Sequence, residues 1–453
     1  MKLVVEGGNP LRGTVRVSPD KSITHRALLF SALAEGESVI HAQDMGQDNA
    51  STAACLRALG VVIEYDNKSL RVVGRGLRGL RSPAHDLDCG NSGSTMRMLA
   101  GVLAGGGVRA RMVGDASLGK RPMGRICKPL RMLGADIAGV RAGEGEREVP
   151  PLTIGAGAFR GGTSVQHVAS AQVKSALILA GLVSGCEVTV SEPALSRDHT
   201  ERMLQSMGAR LGRLDTPGSY GVTLWQTERL APLDNVHIPG DFSSAAFWIA
   251  AGLLVEGSSI DLHDVLINPT RTGMLDILSS MGCVVDVHQN ETRMGEPVAS
   301  LHVESSQNFQ NTQASHVSKD DIVVQGAMIP RLIDELVVLS GLFSLCGGRV
   351  VVREASELKV KESDRILETV QLLKAFGLHA EATGDGFVFE KKGVLKPAHL
   401  DVSLDHRLAL TAAILAFAAK GTSVLEGFEV AAVSYPAFVS VATSLGARVR
   451  IES

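Results

Sequence analysis

Aromatic side chains are scarce in this chain, at 4% of 453 residues, and neither sign of charge dominates: 45 Lys and Arg stand against 48 Asp and Glu, a formal charge of -3. The first shortage leaves packing to small aliphatic residues and to 49 glycines, and so to tightly packed helices and strands joined by many turns. The second excludes a globally basic nucleic-acid binder. The six cysteines, Cys55, Cys89, Cys127, Cys186, Cys283 and Cys346, include no CxxC pair. Their scatter argues against a zinc site and a disulfide framework and predicts buried free thiols. Long hydrophobic runs are missing too. Stretches such as AAFWIAAGLLVEG break well before the roughly 20 residues a membrane span needs, so they read as core helices and no membrane is expected. The amino terminus, MKLVVEGGNPLRG, has the character of neither a signal nor a transit peptide, which predicts a cytoplasmic protein. The chain is too long for one ordinary core, and two domains of roughly 200 residues are the natural division.

What is present is a repeat. A short apolar helix ending in Gly and followed by a strand recurs six times, from Arg26, Met96, Lys174, Ala245, Glu335 and Arg407. Each copy has a companion helix that ends near a hydrophobic–Gly pair: Leu59-Gly60, Leu133-Gly134, Met207-Gly208, Met281-Gly282, Phe376-Gly377 and Leu445-Gly446. Glycine past a helix end supplies the left-handed conformation without steric cost. Six strand-helix-strand-helix units follow, three to a domain, with the boundary near Pro239-Gly240. The longest spacing lies between the fourth and fifth copies, where the polar stretch from about Glu291 to Asp321 reads as an insertion.

The first helix of every unit starts in polar residues, and several of these starts carry cations: Asp20-Lys21-Ser22-Ile23-Thr24-His25-Arg26, Asn91-Ser92-Gly93-Ser94-Thr95-Met96-Arg97, Ser170-Ala171-Gln172-Val173-Lys174-Ser175 and Asp405-His406-Arg407 among them. Capping explains Asp, Asn or Ser there. It does not explain Lys and Arg, which oppose the helix dipole. Cations repeated at that cost point to anions bound where helix starts converge.

Two motifs mislead. Gly114–Lys120 has most of a P-loop, but Arg121 and Pro122 follow where a magnesium-binding hydroxyl and a running helix should be. Gly74–Gly79 fits GxGxxG, yet Arg81-Ser82-Pro83 follows in place of a helix, so a turn is predicted.

Seven motifs, in order along the chain, closely resemble the enolpyruvyl transferase family on its shikimate side: Pro19–Arg26, Leu87–Gly93, Gly114–Met123, Ser170–Ser175, Ser196–Thr200, Lys361–Arg365 and Asp405–Arg407. The resemblance runs from about Gly13 to the carboxyl terminus. It implies an α/β fold, a two-domain inverse α/β barrel with three repeated strand-helix units in each domain. One discontinuous domain would comprise residues 1–17 plus 240–453 and the other residues 18–239, with the active site in the cleft between them. It also implies transfer of the enolpyruvyl group of phosphoenolpyruvate to the 5-hydroxyl of shikimate 3-phosphate, in aromatic amino acid biosynthesis. The partners would be those two small molecules, with no nucleic acid, and the chain a monomer.

By this resemblance phosphoenolpyruvate would be held by Lys21, Arg121, Gln172, Arg365 and Arg407, with Gly93 leaving room for it. Shikimate 3-phosphate would lie on Lys21, Ser22, Arg26, Ser170, Gln172, Arg197, Asp334 and Lys361, its phosphate meeting Ser170 and Arg197. Asp334 is the candidate for the acceptor hydroxyl, and Glu362 or Lys21 for the methylene carbon. Asp334 could equally be a helix cap, and Glu362 an ion-pair partner of Arg365. No metal or organic cofactor is implied, since the chemistry is acid–base and electrostatic. Two positions set this chain apart. Val433 precedes Ser434-Tyr435-Pro436 where family members often carry a further Lys, which bears on how tightly phosphoenolpyruvate is held. Ala116 stands where the branch acting on a nucleotide-linked amino sugar usually has Cys. The absence of a side chain at Gly93 makes inhibition by glyphosate an expectation.

Overall fold

The six repeats fold into six copies of one unit, each ending in its own four-stranded sheet. The structure, a computed structural model, describes residues 1–42, 45–66, 69–142, 147–216, 218–305, 321–345 and 348–452. The unit is plainest where strand Gly162–Val165 leads through helix Ala171–Ser184 to strand Val188–Glu192, and then through helix His199–Ser206 to a hairpin of Leu211–Arg213 and Tyr220–Leu224. The first strand pairs parallel to the second, as a helical crossover requires. The last strand inserts antiparallel between the second and the third.

Three units borrow a strand from elsewhere in the chain. Val236–His237 pairs parallel to Glu37–His41, and Arg12–Val15 pairs parallel to the strand Ser259–Leu266. Lys2–Gly7 lies between Gly421–Glu426 and Arg448–Glu452, antiparallel to both.

The first helices are Lys21–Leu33, Gly93–Gly106, Ala171–Ser184, Phe242–Leu254, Leu336–Leu345 and His406–Ala418. They are buried on nearly every side, and in Lys21–Leu33 every residue from Ile23 to Leu33 is buried, the pattern of a helix enclosed by other elements. The companion helices all end at the hydrophobic–Gly pairs, whose glycines have φ between +75° and +97°. That conformation is what ends the helix and turns the chain into the next strand.

Contacts divide the chain into two compact bodies: Met1–Ser18 with Pro239–Glu291 and Pro297–Ser453, and Pro19–Ile238 with Thr292–Glu296. In the second body the helices Gly93–Gly106 and Ala171–Ser184 approach backbone to backbone. A Cβ on Gly101 would lie 2.2 Å from the Ala176 carbonyl oxygen, and one on Gly105 would lie 2.3 Å from that of Ala180. Missing side chains thus bring two helix starts together. In the first body an aromatic cluster does the filling: Trp248 stacks on Phe438 at 5.0 Å and donates through Nε1 to the Tyr435 hydroxyl at 2.9 Å.

The expected insertion is shorter than the sequence suggests. Its first part belongs to a hairpin, Val285–Arg293 with Glu296–Glu304, turning through Met294 and Gly295, both at positive φ. A polar hairpin with one exposed strand looks like a loop in composition, which is why the pattern misleads. The remainder, residues 306–320, lies outside the described residues, as does Cys346. Cys55, Cys89, Cys127 and Cys283 are buried free thiols and Cys186 is half-buried.

Candidate active site

In the body of Pro19–Ile238, three helix starts are tied together by side chains. Asp20 caps the first helix, accepting from the Ile23 N–H at 2.8 Å. Lys21 and Ser22 follow, half-buried, with the Lys21 ammonium 3.0 Å from Asp48. Burial would raise the Asp48 carboxyl, but Lys21 and His25 outweigh it and hold Asp48 below its ordinary range. Arg26, one turn on, is buried: its guanidinium donates to Thr200 Oγ1 at 2.8 Å, the Ser22 carbonyl at 3.0 Å and Ser175 Oγ at 3.1 Å. Burial lowers it to about 10, so it remains a cation at neutral pH. Within the same turn His25 Nδ1 meets Thr52 Oγ1 at 2.7 Å. Thr52 meets Thr95, and Thr95 donates to Ser92, both at 2.7 Å.

The second and third starts meet through Arg97, whose Nη1 donates to Gln172 Oε1 at 2.6 Å while Gln172 Nε2 donates to Ser94 Oγ at 3.1 Å. Arg121 Nη2 donates to Asn91 Oδ1 at 2.6 Å. Gly93 lies among these cations: a Cβ there would be 2.9 Å from Arg97 Nη1 and 3.5 Å from Arg121 Nη1. Ser170 stands at the N-cap of its helix, yet its side chain makes no cap bond. Arg197 lies one residue before the cap of helix His199–Ser206.

Neither misleading motif forms a phosphate loop. Leu118–Lys120 is a single 3-10 turn, pinned by the Leu118 N–H donating to Asp115 Oδ1 at 2.8 Å, and helix resumes only at Gly124. After Gly79 no helix precedes the next strand, Leu87–Asp88.

In the other body, Asp334, Lys361, Glu362, Arg365 and Arg407 form one cluster. Arg365, 1% exposed, is its hub: Nε donates to Asp405 at 2.8 Å, Nη2 to Glu362 at 2.7 Å, and Nη1 lies 3.7 Å from Asp334. Burial would lower Arg365, but Asp405 and Glu362 raise it above the ordinary guanidinium range. Asp405 is depressed in turn, Arg365 overcoming its burial. The Lys361 ammonium is 3.4 Å from Asp334, and Arg407 donates to the Asp334 carbonyl at 3.0 Å. Asp334 thus carries an ion-pair role as well as a place beside a helix start, and Glu362 does pair with Arg365. Val433 is half-buried at the end of the 3-10 turn Phe428–Val433.

Sequence reasoning did not single out Arg97, Asp48, Thr200 or Asp405 as site residues. Arg97 and Asp405 stand in the same helix starts as the chosen residues and carried that signal. Asp48 and Thr200 reach the site only through tertiary packing. Lys174, present in a quoted motif, turns instead into a buried ion pair with Glu192 and Glu201. A cavity of about 240 Å³ adjoins that pair, and its lining includes none of Lys21, Arg26, Gly93, Arg121 or Gln172.

The fold is shared with solved structures. The profile of the EPSP synthase (3-phosphoshikimate 1-carboxyvinyltransferase) family matches residues 5–441. The chain is 45% identical over 440 residues to the 3-phosphoshikimate 1-carboxyvinyltransferase of Synechococcus sp. (strain RCC307), covering 96% of this chain and 97% of that one. It is 43% identical over 437 residues to the enzyme of the same name from Geobacillus kaustophilus (strain HTA426), covering 96% and 98%. Its structure resembles EPSP synthase from Acinetobacter baumannii over the full length of both chains, with a TM-score of 0.84 and 34% identity. The chain belongs to the EPSP synthase family.

Proposed function

We propose that the residues gathered in each body serve one carboxyvinyl transfer. The chain is a transferase of the shikimate pathway: it moves the enolpyruvyl group of phosphoenolpyruvate onto the 5-hydroxyl of shikimate 3-phosphate and releases phosphate, a step in aromatic amino acid biosynthesis. The family match over residues 5–441 carries this reading. The residue assignments below are supported by geometry within each body.

Each substrate brings a phosphate and a carboxylate, so the site must hold four anionic groups. The acceptor lies on Lys21, Ser22, Arg26, Ser170, Gln172, Arg197, Asp334 and Lys361. Its phosphate meets Ser170, whose hydroxyl is not used in capping, and Arg197. Arg26 is locked by three hydrogen bonds, which suits it to fix the acceptor with little further loss of freedom. Phosphoenolpyruvate lies on Lys21, Arg121, Gln172, Arg365 and Arg407. Guanidinium forks match carboxylates and phosphates with paired hydrogen bonds, and Gly93 admits the ligand beside Arg97 and Arg121.

In the reaction the 5-hydroxyl oxygen adds to the central carbon of phosphoenolpyruvate while the methylene carbon gains a proton. Elimination of phosphate with loss of a methyl proton then restores the double bond. Asp334 takes the hydroxyl proton: its carboxylate is held in place by Lys361 and Arg365, as a positioned base requires. Glu362 or Lys21 serves the methylene carbon. Glu362 is held by Arg365, and Lys21 by Asp48, so each has a partner that can steady it as its charge changes.

One chain carries every group assigned to both substrates, so the chain acts as a monomer. Phosphorylated substrates retained inside the cell put it in the cytoplasm, and no helix among the described residues is long and apolar enough to cross a membrane. The open position at Gly93 supports inhibition by glyphosate. Phosphate release from phosphoenolpyruvate, measured with shikimate 3-phosphate and in parallel with UDP-N-acetylglucosamine, tests the reading. Release with shikimate 3-phosphate alone is expected, and release only with the amino sugar defeats it.

A further inference from the structure

The peptide leading into Arg197 is held by buried charged groups for which the reaction described above has no use. Ser196 donates to Glu192 Oε1 through both its N–H and its hydroxyl, each at 2.8 Å. Lys174 Nζ donates to the same carboxylate oxygen at 2.9 Å and to the Ser196 carbonyl at 3.3 Å, and it lies 2.8 Å from Glu201. Lys174 and Glu192 are each 2% exposed and Ser196 is 3% exposed. Three polar groups of one residue are thus fixed, so the Ser196–Arg197 peptide cannot turn without breaking several charge-assisted bonds.

Lys174 also precedes Ser175, whose hydroxyl accepts from Arg26 and meets Thr200 at 2.6 Å. The segments that bear Arg197 and steady Arg26 are therefore fastened to one ammonium group. Stability alone is a poor reason for this arrangement. Apolar residues of similar volume fill a core as well as a buried ion pair does, or better. What a buried, hydrogen-bonded charge network adds is a fixed geometry.

We infer that Lys174 and Glu192 are positioning residues for the acceptor's phosphate, holding the Ser196–Arg197 peptide and the Ser175–Arg26 contact in the arrangement that receives it. The inference rests on the assignment of Arg197 to that phosphate. A positioning role predicts a loss confined to one substrate.

The test compares Glu192→Gln, the triple variant Lys174→Met/Glu192→Gln/Glu201→Gln, Ser196→Ala and Arg197→Met, each with steady-state kinetics for both substrates and a melting temperature. Glu192→Gln keeps an acceptor for Ser196 but loses one of the two carboxylates that bind Lys174. It raises KM for shikimate 3-phosphate about tenfold, the effect of about 1.4 kcal/mol, while KM for phosphoenolpyruvate and kcat stay within about twofold. The triple variant removes all three charges and leaves no buried carboxylate without its lysine, so a purely structural role predicts recovery of every parameter. Positioning predicts that KM for shikimate 3-phosphate stays raised at restored melting temperature. Ser196→Ala, a small change in a folded site, raises the same KM about threefold and stands in should the charge variants not fold. Recovery in the triple variant, an equal rise for both substrates, or an unmoved KM in Ser196→Ala overturns the inference. Arg197→Met separates the two layers: if it leaves KM for shikimate 3-phosphate unchanged, the assignment of Arg197 fails. If it raises that KM while the other variants do not, only the positioning role falls.

Discussion

Mild acid should weaken the body that carries Lys21 and Arg26, and His25 sets the size of the effect. His25 is fully buried. Burial, opposed by Asp48 and reinforced by Lys21 and Arg26, lowers it from 6.5 to about 3. Between those two values the unfolded chain binds a proton at this residue and the folded chain does not. Stability from His25 is therefore intact above pH 6.5 and falls by about 1.4 kcal/mol per pH unit below it, until the folded value is reached. At pH 5.0, one and a half units down, the loss is about 2 kcal/mol. Urea unfolding of wild type and of His25→Gln at pH 7.5 and 5.0 isolates it: wild type loses about 2 kcal/mol more than the variant. The His25 ring also shows no titration by NMR over that interval in the folded protein. Parallel losses in the two proteins, or a ring titrating near pH 6.5, refute the reasoning. Since His25 shares a helical turn with Lys21 and Arg26, saturating shikimate 3-phosphate is expected to restore acid stability in wild type.

Gly93→Ala puts a methyl group 2.9 Å from Arg97 Nη1 and strains its bond to Gln172. KM for phosphoenolpyruvate rises roughly tenfold, the effect of weakening one charge-assisted hydrogen bond, and inhibition by glyphosate weakens more, as paired titrations would show. Val433→Lys supplies a further cation near the carboxyl terminus and lowers KM for phosphoenolpyruvate a few-fold, with the gain shrinking as salt is raised. Gly105→Ala sets a methyl 2.3 Å from a backbone oxygen of the neighbouring helix. The helices must part, costing about 1–3 kcal/mol, read as a lower melting temperature at nearly unchanged KM for both substrates.

The repeat was legible because its signals are local. A helix that must be enclosed is apolar on all sides, and a helix that must turn back into a sheet needs a left-handed residue, so Leu59-Gly60 and its five counterparts mark unit after unit. The helix starts were legible for the same reason, since a cation in a first turn has a cost that asks for an explanation. Other features depend on where the chain returns. Val236–His237 and Arg12–Val15 are too short to show an alternating pattern, and only pairing to distant strands makes them part of a sheet. Asp48 is an ordinary acid in sequence and gains its role from a lysine on another helix. Lys174 shows the converse: it stands in a helix start like Lys21, yet Glu192 and Glu201, remote in sequence, draw it into the interior. The hairpin Val285–Glu304 was hidden because its first strand is polar and mostly exposed, so no buried face marks it.

The strand Lys2–Gly7 lies between Gly421–Glu426 and Arg448–Glu452, and this has a consequence in time. Of these strands the one made earliest is among the last to find its place, since neither neighbour exists until Gly421–Glu426 and Arg448–Glu452 have been made. Meanwhile Val4 and Val5, buried in the finished molecule, lack that cover until those two strands emerge. The body of Pro19–Ile238 faces no such wait for its sheets: its borrowed strand, Val236–His237, pairs with Glu37–His41 as soon as it emerges. Half the enzyme can take shape while the strand made before it is still waiting for a partner.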